Sequence, residues 1–148
     1  MTWIFCAIVG TLYAVGNSLI QKFHMCTTQV KIKLFKTYCC SAYTSQLWYK
    51  YRQSSLDKAR VAYNTILRRL LGIPRYENGQ NYSASAMFAN NSVCSFPALI
   101  RKLIFRFRER LISFSEYVFN FICKSSFSVV SKLWVHWKEM LQSPSFSL

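Results

Sequence analysis

Acidic side chains are scarce in this chain: five Asp and Glu stand against nineteen Lys and Arg. Asp57 is the single aspartate, and Glu77, Glu109, Glu116 and Glu139 are scattered. Two-metal chemistry on phosphoryl groups needs clustered carboxylates, and no such cluster exists in the sequence. Glycine is as sparse. Gly10, Gly16, Gly72 and Gly79 stand alone, so there is no glycine-rich loop to cradle a phosphate. Two histidines, one aspartate and no serine elbow make a hydrolase triad improbable. The six cysteines, Cys6, Cys26, Cys39, Cys40, Cys94 and Cys123, lack the regular spacing of a secreted disulfide scaffold. No C-x₂-C occurs, and Cys39 and Cys40 are adjacent, a poor arrangement for one chelate. His24 lies near Cys26 but His136 is far away in sequence, so no zinc motif is complete. The expectation is reduced, mostly buried thiols in a cytoplasmic or nuclear protein, with no catalytic residue, metal or cofactor.

What remains is apolar and basic. The chain is 148 residues long, 52% hydrophobic and 16% charged, whereas charged residues usually make up about a quarter of a soluble domain. Part of its apolar surface is therefore expected to face a partner, the simplest being the remainder of a larger protein. The formal charge is +14 and the pI about 9.8. Such a field draws polyanions, either nucleic acid or an acidic membrane surface.

The apolar pattern is helical throughout, with no convincing strand alternation and no repeat. Leu56, Ala59, Tyr63, Ile66, Leu67, Leu70 and Leu71 recur at three- and four-residue steps, the spacing of one helix face. Asp57, Lys58, Arg60, Asn64, Arg68 and Arg69 fall mostly opposite, so truncating Arg68 is expected to cost little. Ser54 or Ser55 is the candidate cap with Asp57 in the first turn. Gly72 is placed for a left-handed turn, and Pro74 stops continuation. Residues 30–51 form a second helix-length run, with Ile32, Phe35, Tyr38, Cys39, Ala42, Leu47 and Tyr51 at helical steps and Lys31, Lys33 and Lys36 at its amino end. The two runs predict a helix hairpin hinged near residues 52–55, with an apolar and a basic face. Residues 76–82 read as a loop turning at Asn78-Gly79, after which Ser83 caps a short helix through Ala89. Pro97 suits the first turn of another helix. There Leu99, Ile100, Leu103, Ile104, Phe107 and Leu111 form the stripe, Lys102, Arg106 and Arg110 stand four apart on one ridge, and Arg101 and Arg108 lie on the other flank. Residues 113–124 and 129–141 read as two more short helices, and 143–148 as a frayed tail. The class is all-α, a small irregular bundle of about five to seven helices.

Several blocks of sequence resemble a known family. VKIKLF-x₂-YC-x₃-YTSQLWYKY, then VAYNTILRRLLGIPRY and SASAMF, are similar to the region that follows the polymerase domain in non-LTR (LINE-type) retrotransposon reverse transcriptases. LYAVGNSLIQKFHMC from Leu12, RKLIFRFRERL from Arg101 and SKLW-x₂-W from Ser131 fit the same region. The resemblance leaves out residues 1–10, an apolar N-terminus, and the tail after 142. It implies a parent activity of RNA-directed DNA synthesis whose catalytic aspartates are not among these residues. The insertion YENGQNY departs from the family, where the SAS block follows the proline-arginine pair more closely.

The resemblance implies a fragment of a retrotransposon-encoded RNA-directed DNA polymerase that lacks the catalytic core, and the expected function is non-sequence-specific binding of an RNA or DNA backbone by its basic helical surface, with no small-molecule substrate. The candidate contacts are Lys31, Lys33, Lys36, Arg68, Arg69, Arg75, Arg101, Lys102, Arg106, Arg108 and Arg110. Two alternatives stand beside it. Residues 1–20 carry no charged side chain and offer a membrane anchor, although they lack a basic n-region and are diluted by Gly10, Thr11, Gly16, Asn17 and Ser18. A degenerate product with no selected function is the other.

Overall fold

The computed structural model describes residues 2–40, 53–77, 80–114 and 129–142. Among them are six helices and one short hairpin: α1 (Thr2–Lys22), α2 (Thr28–Tyr38), α3 (Gln53–Leu71), β1 (Tyr76–Glu77), β2 (Gln80–Asn81), α4 (Ala84–Asn90), α5 (Phe96–Phe114) and α6 (Val129–Gln142). The all-α class is as expected. The readings that fell on residues 41–52, the Asn78-Gly79 turn, the helix at 115–124 and the tail lie outside the described residues.

The helices divide between two compact units, α1 to α4 with the hairpin in one, and α5 from Pro97 with α6 in the other. In the first unit α3 is the centre. Leu56, Ala59, Ala62, Tyr63, Ile66, Leu67 and Leu70 are all buried, the stripe the sequence spacing predicts plus Ala62 and without Leu71, which is half-buried at the helix end. Helix α1 packs along α3 through its own stripe, with Leu12 and Leu19 buried. Gly16 lies between those two, where a Cβ would overlap Ile66 Cγ2 and stand 3.0 Å from Ile66 Cγ1. Only a residue without a side chain lets the two backbones come this near. The helix runs unbroken from Thr2 to Lys22, across the point where the family resemblance begins. No described helix is long and apolar enough to cross a membrane.

Helix α2 adds Phe35 and Cys39 to the same core. Phe35 meets Tyr63 at 5.0 Å between ring centroids, and Phe88 and Phe96 approach Tyr63 at 6.0 and 5.6 Å. The Tyr63 hydroxyl donates to the Cys94 carbonyl at 3.0 Å and lies 3.3 Å from Cys40 Sγ, so its one buried polar atom is satisfied. Tyr38 departs from the expectation: it is 56% exposed. A stripe through positions 32, 35 and 39 leaves residue 38 on its flank, about 60° away at 100° per residue.

The helix ends differ in part from the signals read in the sequence. Helix α3 is already formed at Gln53, so Ser54 and Ser55 lie in its first turn and do not cap it. Its other end is as expected. Gly72 has φ +69, Ile73 N–H donates to Arg68 O at 3.0 Å and Gly72 N–H to Arg69 O at 3.3 Å, the paired closing bonds of a Schellman turn. Ser83 is the residue before α4 but makes no side-chain capping bond; its hydroxyl lies 2.7 Å from that of Ser85.

In the second unit Leu99, Ile100 and Ile104 of α5 are buried, as is Trp137 of α6. The Phe107 ring meets Trp137 edge-on, at 5.5 Å and 80°. The cysteines are less hidden than expected. Cys39 is buried, Cys26 and Cys40 are intermediate, and Cys6 and Cys94 are exposed. Of these five only Cys6 lies within a helix; the other four fall just beyond helix ends or in connections, where no apolar stripe decides burial.

Candidate nucleic-acid interface

The eleven candidate cations sort into two groups by what they touch. Lys33 and Lys36 on α2 are exposed, and Lys31 is half-buried. Arg69, at the end of α3, and Arg75, just beyond it, are exposed. On α5, Lys102, Arg106 and Arg110 are exposed along one ridge, as their four-residue spacing requires. None of these eight makes an ion pair or a side-chain hydrogen bond among the described residues. The ion pair found there is Arg60 with Asp57, at 3.1 Å, one turn along α3.

The other three are held by the protein. Arg68 is half-buried, and its guanidinium forks onto two backbone carbonyls: Nη2 to Tyr82 O at 2.6 Å and Nη1 to Pro74 O at 3.2 Å. It also stands over the Tyr82 ring, 5.8 Å from the centroid. These contacts fasten the segment after α3 back onto the helix, so truncating Arg68 is now expected to cost more than an ordinary surface position. The side chain points toward a loop whose return at Tyr82 brings a carbonyl within reach, and helical periodicity carries no information about that. Arg101 and Arg108 are half-buried with their Nε atoms removed from solvent, and both are engaged within the protein.

Where α3 ends, an open-sided groove of about 220 Å³ is lined by Thr65, Arg68, Arg69, Gly72, Ile73, Pro74 and Arg75. Three of those seven residues are arginines and none is acidic. In the sequence, Gly72 and Pro74 read only as helix-stop signals. Their second consequence, a concave turn edged by guanidinium groups, depends on the chain doubling back at Tyr82, where its N–H donates to Arg75 O at 2.9 Å.

The titratable groups of the core are locked in their uncharged forms. Burial, with Cys40 beside it, pushes the Cys39 thiol up to about 12. Burial raises the Tyr63 hydroxyl far above the ordinary phenol range, with smaller contributions from Cys40 and the other nearby cysteines. Neither group exchanges protons near neutral pH, so this cluster acts as a hydrogen-bonded core element. Among the described residues no group of three His, Cys, Asp or Glu is placed to hold a metal ion. No known protein family, curated protein or solved structure matches the chain.

Proposed function

We propose that the protein binds nucleic acid through its backbone phosphates, without reading sequence and without catalysing a reaction of its own. The observation that carries this reading is the set of eight cations, Lys31, Lys33, Lys36, Arg69, Arg75, Lys102, Arg106 and Arg110, that have no ion-pair partner among the described residues, in a chain of net charge +14. Unpaired surface cations of one sign repel each other, and condensed polyanion phosphates relieve that repulsion. Lys and Arg on phosphates position a protein on a strand but do not discriminate bases. The resemblance to the post-polymerase region of retrotransposon reverse transcriptases supports the same partner and adds a second one, the polymerase from which such a region is continuous.

The test is the salt dependence of binding to a labelled RNA oligomer, followed by fluorescence anisotropy. With about five phosphates engaged, log K against log salt falls with a slope near −3.5 for a single strand. Gln at Lys102, Arg106 and Arg110 flattens the slope by up to about two units, since each lost contact removes roughly 0.7. These three suit the test better than Arg101, whose side chain is engaged within the protein. A flat salt dependence removes the reading. Binding that instead needs acidic lipid vesicles, and is lost on deleting residues 1–20, favours the membrane alternative.

A further inference from the structure

The groove at the end of α3 is a concavity edged by guanidinium groups. We infer that it seats one nucleotide of a single strand, the phosphate between Arg69 and Arg75 and the sugar against Ile73 and Pro74; this rests on the nucleic-acid reading above and gives it a preference for single strands over duplex.

The anion is argued from charge. Arg69 and Arg75 line the groove with no ion-pair or hydrogen-bond partner among the described residues, and a guanidinium remains charged at every accessible pH. A helix C-terminus repels an anion, with a partial charge of about half a unit. Here the Schellman bonds already occupy the Arg68 and Arg69 carbonyls, and three guanidinium groups outweigh what is left. Arg68 is a positioning residue: its bonds to Pro74 O and Tyr82 O hold the 73–75 wall against α3, so that Arg75 stays at the groove edge.

The single nucleotide is argued from size and surface. At about 220 Å³ the groove is smaller than the ~300–1,000 Å³ of sites that enclose a cofactor or drug-sized ligand, and it is open on one side. Gly72 presents bare backbone there, with nothing within 4 Å of where a Cβ would stand, which leaves room for a phosphate to approach. A flexible strand can lower one phosphate and its sugar into such a concavity. A duplex, whose backbone is held in a regular helix, meets only the groove rim.

The experiment compares a single-stranded RNA oligomer with a duplex of equal length, each titrated at several salt concentrations against the full chain and against the double variant Arg69→Gln, Arg75→Gln. Both side chains are exposed, so the variant is expected to keep its helical circular dichroism. The expected result is a single-strand slope smaller by about 0.7, one phosphate contact, with the duplex slope unchanged. An equal loss on both substrates overturns the seat, since it makes the two arginines part of a diffuse field. Unchanged slopes for a protein that binds RNA overturn the groove alone and leave the wider reading standing. A chain that binds neither substrate at low salt overturns both.

Discussion

Removing the Arg68 side chain separates a fastening from a binding role, because the residue sits beside the groove yet is bonded to its own protein. The Nη2 bond to Tyr82 O is short and part-buried, and a hydrogen bond to a charged group in such a place contributes ~1.5–3 kcal/mol. The Nη1 bond to Pro74 O is exposed, so water replaces it at a loss of about 0.5 kcal/mol, the low end for such bonds. Standing over the Tyr82 ring adds ~0.5–1 kcal/mol. The total for Arg68→Ala is therefore ~2.5–4.5 kcal/mol, against the ~0.5 kcal/mol of an ordinary surface position. Arg68→Lys keeps the charge but loses the planar fork, and is expected to fall between the two. Urea titration followed by circular dichroism reads this as a midpoint lowered by roughly 1–2 M for the alanine variant, at a slope of about 2 kcal/mol per M. Amide hydrogen exchange supplies the local readout: the Tyr82 N–H, bonded to Arg75 O, loses protection in Arg68→Ala ahead of the α3 amides. Stability within about 0.5 kcal/mol of the parent, with Tyr82 protection intact, refutes the fastening role.

Two further outcomes follow from the packing and from the one shifted histidine. Gly16→Ala gains up to ~1 kcal/mol in helix propensity but drives a Cβ into Ile66, which is fully buried, at a cost of ~1–3 kcal/mol for overpacking. A net loss is expected, and combining it with Ile66→Ala gives less than the sum of the two single losses; strict additivity in the denaturation midpoints shows that the helices are not in contact there. Burial holds His136 below the ordinary histidine value, opposed by Glu139, so near neutral pH the unfolded chain binds more protons than the folded one and stability falls as pH drops through the ordinary histidine value. His136→Gln should remove part of the decline in urea midpoint between about pH 7.5 and 5.5; an equal decline in both proteins rules out that linkage.

The fold was legible wherever one residue's burial is decided by its own helix. On α3 the spacing alone picks out Leu56, Ala59, Tyr63, Ile66, Leu67 and Leu70, all buried, and Leu71, half-buried in the last turn, because a helix packed in a unit must turn one stripe inward. Ala62 escaped notice, since alanine is small enough to be read as neutral on either face. The ends were harder. Gly72 and Pro74 mark the close of α3 by backbone chemistry, a left-handed φ and a missing N–H, and such signals do not depend on context. Helix α2 ends at Tyr38, with the Cys39 N–H closing on Phe35 O at 2.8 Å, and no glycine or proline stands there to announce it. The close approach at Gly16 was equally silent: in the sequence it dilutes an apolar run, and only the presence of Ile66 on another helix turns it into a packing requirement.

The candidate site was legible in its charge but not in its availability. Arg68 and Arg69 are neighbours in sequence and chemically identical, yet a rotation of about 100° between them sends one guanidinium across the Pro74–Tyr82 return and leaves the other at the edge of the groove. Which of the two serves the fold and which is open to a ligand is decided by a carbonyl fourteen residues further on. No local pattern encodes that distance. The same holds on α5, where the ridge of Lys102, Arg106 and Arg110 is exposed while Arg101 and Arg108, one flank away, are drawn into the protein. Net charge therefore overstates the phosphate-binding surface, and among the eleven candidates the number of phosphates engaged should follow the eight that stand free among the described residues. A salt slope steeper than these eight contacts allow, beyond about −5.6 for a single strand, would mean that further cations, the exposed Lys22, Lys58, Lys132 and Lys138 or the held arginines, engage phosphates as well.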